Sequence, residues 1–240
     1  MDDAFHAEIE AEITKRERIG KFESFDTLKE ELQGNPNFIK KIPELETRYK
    51  GLRRVRGDGN CFFRGFMFRY LENLLTESAE TLNSVVTRLR GSLGYLVEVG
   101  YSETSIELFC DIAVETIEGL HANPDIEKLF SESGNADYLV WFSRLVCSGF
   151  IKHNRERFLP FIDMSIDDFC AKEIEPMGRE CEQVQIIALC EYLQVNVRIE
   201  YLDSSDNETT SSHIFGLEEN LNIHLLYRPS HYDILYLKTP

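Results

Sequence analysis

The chain has no long apolar run and little positive charge, and each shortage closes off a class of function. No stretch reaches the ~20 consecutive apolar residues that a membrane-spanning helix requires. The start, Met1-Asp2-Asp3-Ala4-Phe5-His6, is acidic and lacks the apolar core of a secretory leader. Lys and Arg number 26 against 42 Asp and Glu, for a net charge of −16. Phosphate contacts demand clustered cations, so neither nucleic acid nor membrane is an expected partner. The acidity fits a basic partner surface or plain solubility. The six cysteines include no CxxC pair, and the histidines and cysteines lack metal-ligand spacing, so no metal or other cofactor is expected. A chain of 240 residues can bury a core without disulfide staples. Reduced thiols in a cytoplasmic or nuclear monomer are the expectation. No internal repeat or low-complexity segment interrupts the chain.

What is present is mostly helical period, then alternation. Apolar spacing predicts helices over 25–32, 38–49, 61–75, 80–99, 105–120, 125–131, 136–153 and 184–193. Asn123-Pro124-Asp125 reads as an N-cap, a first-position proline and a first-turn acid. Ser165-Ile166-Asp167-Asp168 resembles a capping box. A short strand is expected over 52–56, and three more over 195–201, 222–227 and 232–237, with a polar loop over 203–212. Helices first and strands last indicate α+β, or α/β with a small mixed sheet, rather than a doubly wound sheet. Residues 1–20 are charged, with Phe5, Ile9, Ile13 and Ile19 as a thin apolar stripe. They read either as an amphipathic arm or as a frayed terminus.

The most telling stretch is Gly57-Asp58-Gly59-Asn60-Cys61-Phe62-Phe63-Arg64. Two glycines permit a sharp turn, and Cys61 then opens a helix. A thiol at a helix N-terminus sits near partial positive charge, which favours its thiolate. The backbone amides around Asp58, Gly59, Asn60 and Cys61 can also receive an oxyanion. Near the far end stand His231 and Asp233, two apart and so on one face of a strand. The carboxylate can fix the imidazole tautomer and leave its other nitrogen as a base. Taken singly, each feature is also ordinary: a turn, an inert thiol, a strand histidine. Together they form the parts of a thiol hydrolase that works by acyl transfer without a cofactor.

The run 57–64 resembles the nucleophile motif of the OTU (ovarian tumour) cysteine proteases. One branch, the otubains, is also similar at Asp137-Tyr138-Leu139-Val140, Arg144-Leu145, Glu175-Pro176-Met177, Ile186-Ile187-Ala188-Leu189, Glu200-Tyr201 and Leu225 through Tyr236. The resemblance implies a papain-like arrangement in an OTU fold, with a small mixed sheet between helical regions. It implies a deubiquitinase that cuts ubiquitin–lysine isopeptide bonds, in chains of the proteasome-targeting linkage. Cys61 would be the nucleophile, His231 the general base and acid, and Asp233 its orienting residue. Asp58 would match the motif aspartate of the oxyanion loop. Ubiquitin and polyubiquitin chains would be the partners, with ubiquitin-conjugating enzymes as further ones. Residues 1–20 would be a ubiquitin-binding arm and 21–240 the catalytic domain. The alternative is a non-catalytic binder that inhibits ubiquitin-charged conjugating enzymes. The chain departs from the pattern in four places. Phe63 stands for tyrosine, Gly65 for alanine, Ser230 for glycine, and Glu182-Gln183-Val184-Gln185 for Asp-His-Ile-His.

Overall fold

The computed structural model describes residues 12–13, 15–132, 134–216 and 222–238. A six-stranded sheet, rather than the four strands expected, forms the centre. Its strands are β1 (Ile19–Glu23), β2 (Tyr49–Val55), β3 (Asn196–Tyr201), β4 (Ser211–Phe215), β5 (Asn222–Arg228) and β6 (His231–Leu237), in the spatial order β1-β2-β6-β5-β3-β4. All neighbours are antiparallel except β3 and β5, which run parallel, so the sheet is mixed.

Both faces of the sheet are covered, which is why its central strands read as doubled apolar residues. Leu225 and Leu226 are both fully buried, as are Ile234 and Leu235. Since successive side chains point to opposite faces, each pair feeds two cores. Leu225 and Ile234 join the larger core, with Phe62, Phe66 and the helix Asn135–His153. Leu226 and Leu235 join a smaller one, built from Phe25, Leu28, Ile42 and Leu45 on two short N-terminal helices, Phe25–Glu31 and Ile42–Arg48. The α+β class stands, with a sheet held between unequal helical layers.

Several expected elements are divided or displaced. The helix expected over 80–99 breaks at Gly91 into Ala79–Arg90 and Ser92–Glu98. The one expected over 38–49 is two pieces, Pro36–Ile39 and Ile42–Arg48, and Tyr49 already belongs to β2. Asp125, not Asn123, caps the helix Ile126–Glu132, accepting from the Lys128 amide at 2.9 Å. Ser165 does cap Ile166–Phe169, through the Asp168 amide at 3.1 Å. β1 is a strand that the alternation pattern does not predict, and Gly20 lies inside it. Phe5 and Ile9 of the apolar stripe lie outside the described residues; Ile13 is helical and Ile19 opens β1. Arg16 and Arg18 fasten this segment to the body. The Arg16 carbonyl accepts from Arg56 Nε at 2.8 Å, and Arg18 pairs with Asp137 at 2.7 Å.

The helix Cys61–Leu74 crosses the sheet over β5 and β6, and Gly65 marks the crossing. A methyl built there would meet Ile234 and Val55 at 3.4 Å, which is ordinary contact. Alanine also favours a helix interior over glycine by about 1 kcal/mol. Gly65→Ala is therefore expected to raise unfolding stability by about 1 kcal/mol, read from urea denaturation at unchanged slope.

Candidate active site

β2 ends at Val55, and the chain turns through residues 56–60 before Cys61 opens its helix. Gly59 makes the turn with φ +74°, and a Cβ there would run into the carbonyl of Gly178. Asp58 shapes the loop with its side chain. Both its oxygens accept from Arg64, at 2.7 Å each, and Oδ1 also accepts from the Asn60 amide at 3.1 Å. Burial pushes the Asp58 carboxyl up, but these hydrogen bonds prevail and hold it below its ordinary value. The Asn60 amide had been expected among the oxyanion donors, yet it is committed to Asp58. Among the described residues, nothing accepts from the amides of Asp58, Gly59 or Cys61.

Asn60 turns inward. Its Oδ1 accepts from Arg144 Nη2 at 2.8 Å and from the Gly178 amide at 2.9 Å. Arg144, in the middle of the helix Asn135–His153, has no solvent exposure. It donates to the carbonyls of Gly59 (3.0 Å), Ile174 (2.9 Å) and Arg179 (2.7 Å), and lies over the Phe63 ring at 4.3 Å. Burial pushes its pKa down to about 10, which still leaves the guanidinium charged at neutral pH. One cation thus ties the loop 56–60 to the segment 174–179. That segment is anchored in turn by Glu175, which takes hydrogen bonds from Ser148 (2.8 Å) and Lys152 (3.0 Å).

β5 returns to β6 through a two-residue turn, Pro229-Ser230. Ser230 has φ +59°, a left-handed conformation that glycine adopts freely, which accounts for the glycine found there in the resembling pattern. The turn puts His231 first on β6, beside the end of β2. His231 Nε2 meets Asp233 Oδ1 at 2.9 Å, and the ring also interacts with the Cys61 thiol. Burial works against a charged ring, but Asp233 and Cys61 outweigh it, so the His231 pKa is raised to about 9. Asp233 is fully buried and accepts from the Val55 amide (3.0 Å), Arg228 (2.8 Å) and Arg54 (3.4 Å). Burial pushes its carboxyl up, while His231 and the two arginines more than compensate and hold it low.

Two clefts meet at this row. One, of about 480 Å³, is lined by Cys61, Phe161, Val184, Tyr201, Tyr227 and Tyr232. The other, of about 750 Å³, is polar and includes Arg54, Arg56, Gly57 and His231. In the substituted run, Glu182, Gln183 and Val184 border the first cleft, and the run caps the helix Gln183–Leu193, where Gln185 Oε1 accepts from the Glu182 amide at 3.2 Å. All six cysteines are free and buried. Burial raises Cys147 and Cys181 well above the usual thiol range. No group of His, Cys, Asp and Glu among the described residues could hold a metal.

Sequence reasoning placed Cys61, His231, Asp233 and Asp58 but gave no role to Arg64, Arg144, Arg54 or Arg228. Arg64 and Arg144 did carry a signal. Each is a charge at a buried position of an apolar helical pattern, which requires partners.

A thiol, an imidazole and a carboxylate joined in series beside free amides, on a sheet between helical layers, define a cysteine hydrolase. The chain belongs to the peptidase C65 otubain family, whose model matches residues 11–237. Human ubiquitin thioesterase OTUB1 is 36% identical over 213 residues, covering 87% of this chain and 78% of that protein. Mouse ubiquitin thioesterase OTUB2 is 37% identical, over 84% of this chain and 88% of its own length. An Arabidopsis thaliana OTU-domain deubiquitinating enzyme is 35% identical, over 95% and 84%. Among solved structures, ceOTUB1 in a complex with ubiquitin aldehyde and UBC13~Ub superposes with a TM-score of 0.89. It is 31% identical, with 97% of this chain and 98% of that one covered. The h/ceOTUB1 complex with ubiquitin aldehyde and UBCH5B~Ub gives the same score at 32% identity, over 99% and 98%.

Proposed function

We propose that this chain is a deubiquitinase that hydrolyses the isopeptide bond between the ubiquitin C-terminal glycine and a lysine side chain, in polyubiquitin of the proteasome-targeting linkage. The observation that supports this most is the row Cys61–His231–Asp233 at the junction of two clefts. The aromatic cleft holding Cys61 suits the acyl-side tail, and the polar cleft holding His231 suits the lysine that leaves. Cys61 attacks the carbonyl carbon as thiolate, and the amides of Asp58, Gly59 and Cys61 take the oxyanion. Imidazolium His231 then protonates the departing amine. The acyl-enzyme is released when neutral His231 takes a proton from water, whose oxygen attacks the thioester. Asp233 holds the ring in the required tautomer throughout.

Incubation with linkage-defined ubiquitin dimers tests the reading. Cleavage concentrated on one linkage is the expected result, and folded, reduced protein that cleaves none overturns it. The pH dependence follows from His231. A raised pKa keeps the imidazolium through neutrality, so kcat/KM should hold near neutral pH and fall as pH rises through about 9. The stability that the ring gains from its partners is fully present below its ordinary value of 6.5 and is lost over the same alkaline rise. An alkaline limb centred near pH 7 on a fluorogenic ubiquitin substrate would contradict this arrangement.

A second role, restraint of ubiquitin-charged conjugating enzymes, is favoured by one observation. The superposing solved chains are in complexes with UBC13~Ub and UBCH5B~Ub. Chain-synthesis assays with Cys61→Ala protein separate the two roles, since restraint should survive the substitution. Unimpeded synthesis would remove this second role.

A further inference from the structure

Asp233 carries an unusual burden for a carboxylate that supports an imidazole. Its Oδ1 serves His231 and the Val55 amide, while Oδ2 faces two guanidinium groups, those of Arg228 and Arg54. Two cations on one carboxylate weaken its pull on the imidazolium, and their own field also opposes a charge on the ring. Behind both arginines stands Glu31, the last residue of the helix Phe25–Glu31. Its Oε1 pairs with Arg228 at 2.7 Å and its Oε2 with Arg54 at 2.8 Å. Arg54 is further held by Glu23 of β1 at 2.6 Å. Glu31 is half exposed, yet its two oxygens are divided between the two cations that touch the triad carboxylate.

We propose that Glu31 is a positioning residue of the triad, which by pairing with Arg54 and Arg228 at once sets how strongly Asp233 supports the charged form of His231. It touches no reacting atom. It offsets one of the two positive charges behind Asp233 and holds both arginine forks on the side of Oδ2, away from the ring. The helix that carries it rests on the sheet through Phe25 and Leu28, in the smaller core. Packing on the face remote from the nucleophile helix therefore reaches the triad through a chain of four charges.

Other charges face the same ring. Cys61 lies on its helix, Asp233 on the ring's own strand, Arg54 on β2, and Arg56 just past its end. Arg228 comes from β5, Glu23 from β1, and Arg16 and Glu17 from the segment before β1. Of the carboxylates in this set other than Asp233, only Glu31 pairs with both arginines that contact Asp233, so its removal is the change that leaves the pair unbalanced.

The inference rests on the triad roles proposed above, and a substrate-free measurement keeps the two separable. Alkylation of Cys61 by iodoacetate is faster when an imidazolium draws the reagent's carboxylate, so its rate falls as His231 loses its proton. The rate would be followed against pH for the wild type, Glu31→Gln and Glu31→Asp, with Cys61→Ser as the background for the five other buried thiols. The alkaline limb of Glu31→Gln is expected to move down by on the order of half a pH unit at an unchanged melting temperature. Glu31→Asp should restore most of the shift. In turnover, Glu31→Gln should lower kcat severalfold at a KM within twofold of wild type. A Glu31→Gln limb that coincides with the wild type overturns the proposal, as does a lowered melting temperature with no shift of the limb. If the wild type cleaves no ubiquitin dimer, the functional reading fails, while the alkylation profiles still decide the role of Glu31.

Discussion

Cys61→Ala is expected to lower turnover of a ubiquitin isopeptide substrate by about a millionfold, as loss of the nucleophile does in other covalent hydrolases. The thiol lines the aromatic cleft and interacts with His231. Cys181 lines the same cleft, but burial raises its thiol well above the usual range, so it cannot substitute at neutral pH. The change removes one sulfur at the cleft lip and leaves the clefts otherwise intact, so folding and ubiquitin affinity should stay close to wild type. Isothermal titration against a ubiquitin dimer, beside a cleavage assay of the same sample, checks both halves. Retention of more than about one per cent of activity would show that another group carries the attack.

Gly59→Ala should also be damaging, by a smaller factor and for a different reason. The backbone there has φ +74°, which costs an L-residue roughly 1–2 kcal/mol. The added methyl would also fall 2.1 Å from the Gly178 carbonyl oxygen and 2.4 Å from its carbon. Both obstacles are backbone, so the loop itself must move, and with it the amides of Asp58, Gly59 and Cys61. Misplacing an oxyanion donor costs about 10²–10³ in kcat. A kcat reduction of that order is expected, with KM within a few-fold of wild type and lower stability in urea. Iodoacetate should still label Cys61, because the thiol and His231 remain neighbours. A kcat within threefold of wild type would mean that these amides do not carry the oxyanion.

The readable parts of this chain were those in which local pattern and tertiary placement agree. Phe62, Phe66, Tyr70 and Leu74 recur at helical spacing, and the helix Cys61–Leu74 follows them closely. The alternation across 195–201 became β3, which starts one residue later at Asn196. Where the two disagree, the reading failed. β1 is short and charged, and exists because β2 offers it a pairing edge. β4, exposed along most of its length, is held by β3 in the same way. Gly91 divides two helices that a period count alone runs together. The π-helical turn Cys170–Ile174 has no pattern of its own, and it delivers the Ile174 carbonyl to Arg144. For the site, His231 and Asp233 were legible because their spacing is local. The pairs Arg144–Asn60 and Glu31–Arg228 join residues far apart in the chain, from separate helices, strands and loops, and only the fold brings them together.

The strand order has a consequence for the moment at which activity first arises during synthesis. β6 leaves the ribosome after the other five strands, yet it lies between β2 and β5 in the finished sheet. Until it inserts, β1 and β2 have no link through the sheet to β5, β3 and β4, and Cys61 has neither His231 nor Asp233 beside it. The same late event that closes the sheet therefore brings His231 and Asp233 to the thiol. A nascent chain stalled before β6 would present a cysteine on a helix but no proteolytic centre, so unfinished copies pose no hydrolytic hazard to their surroundings.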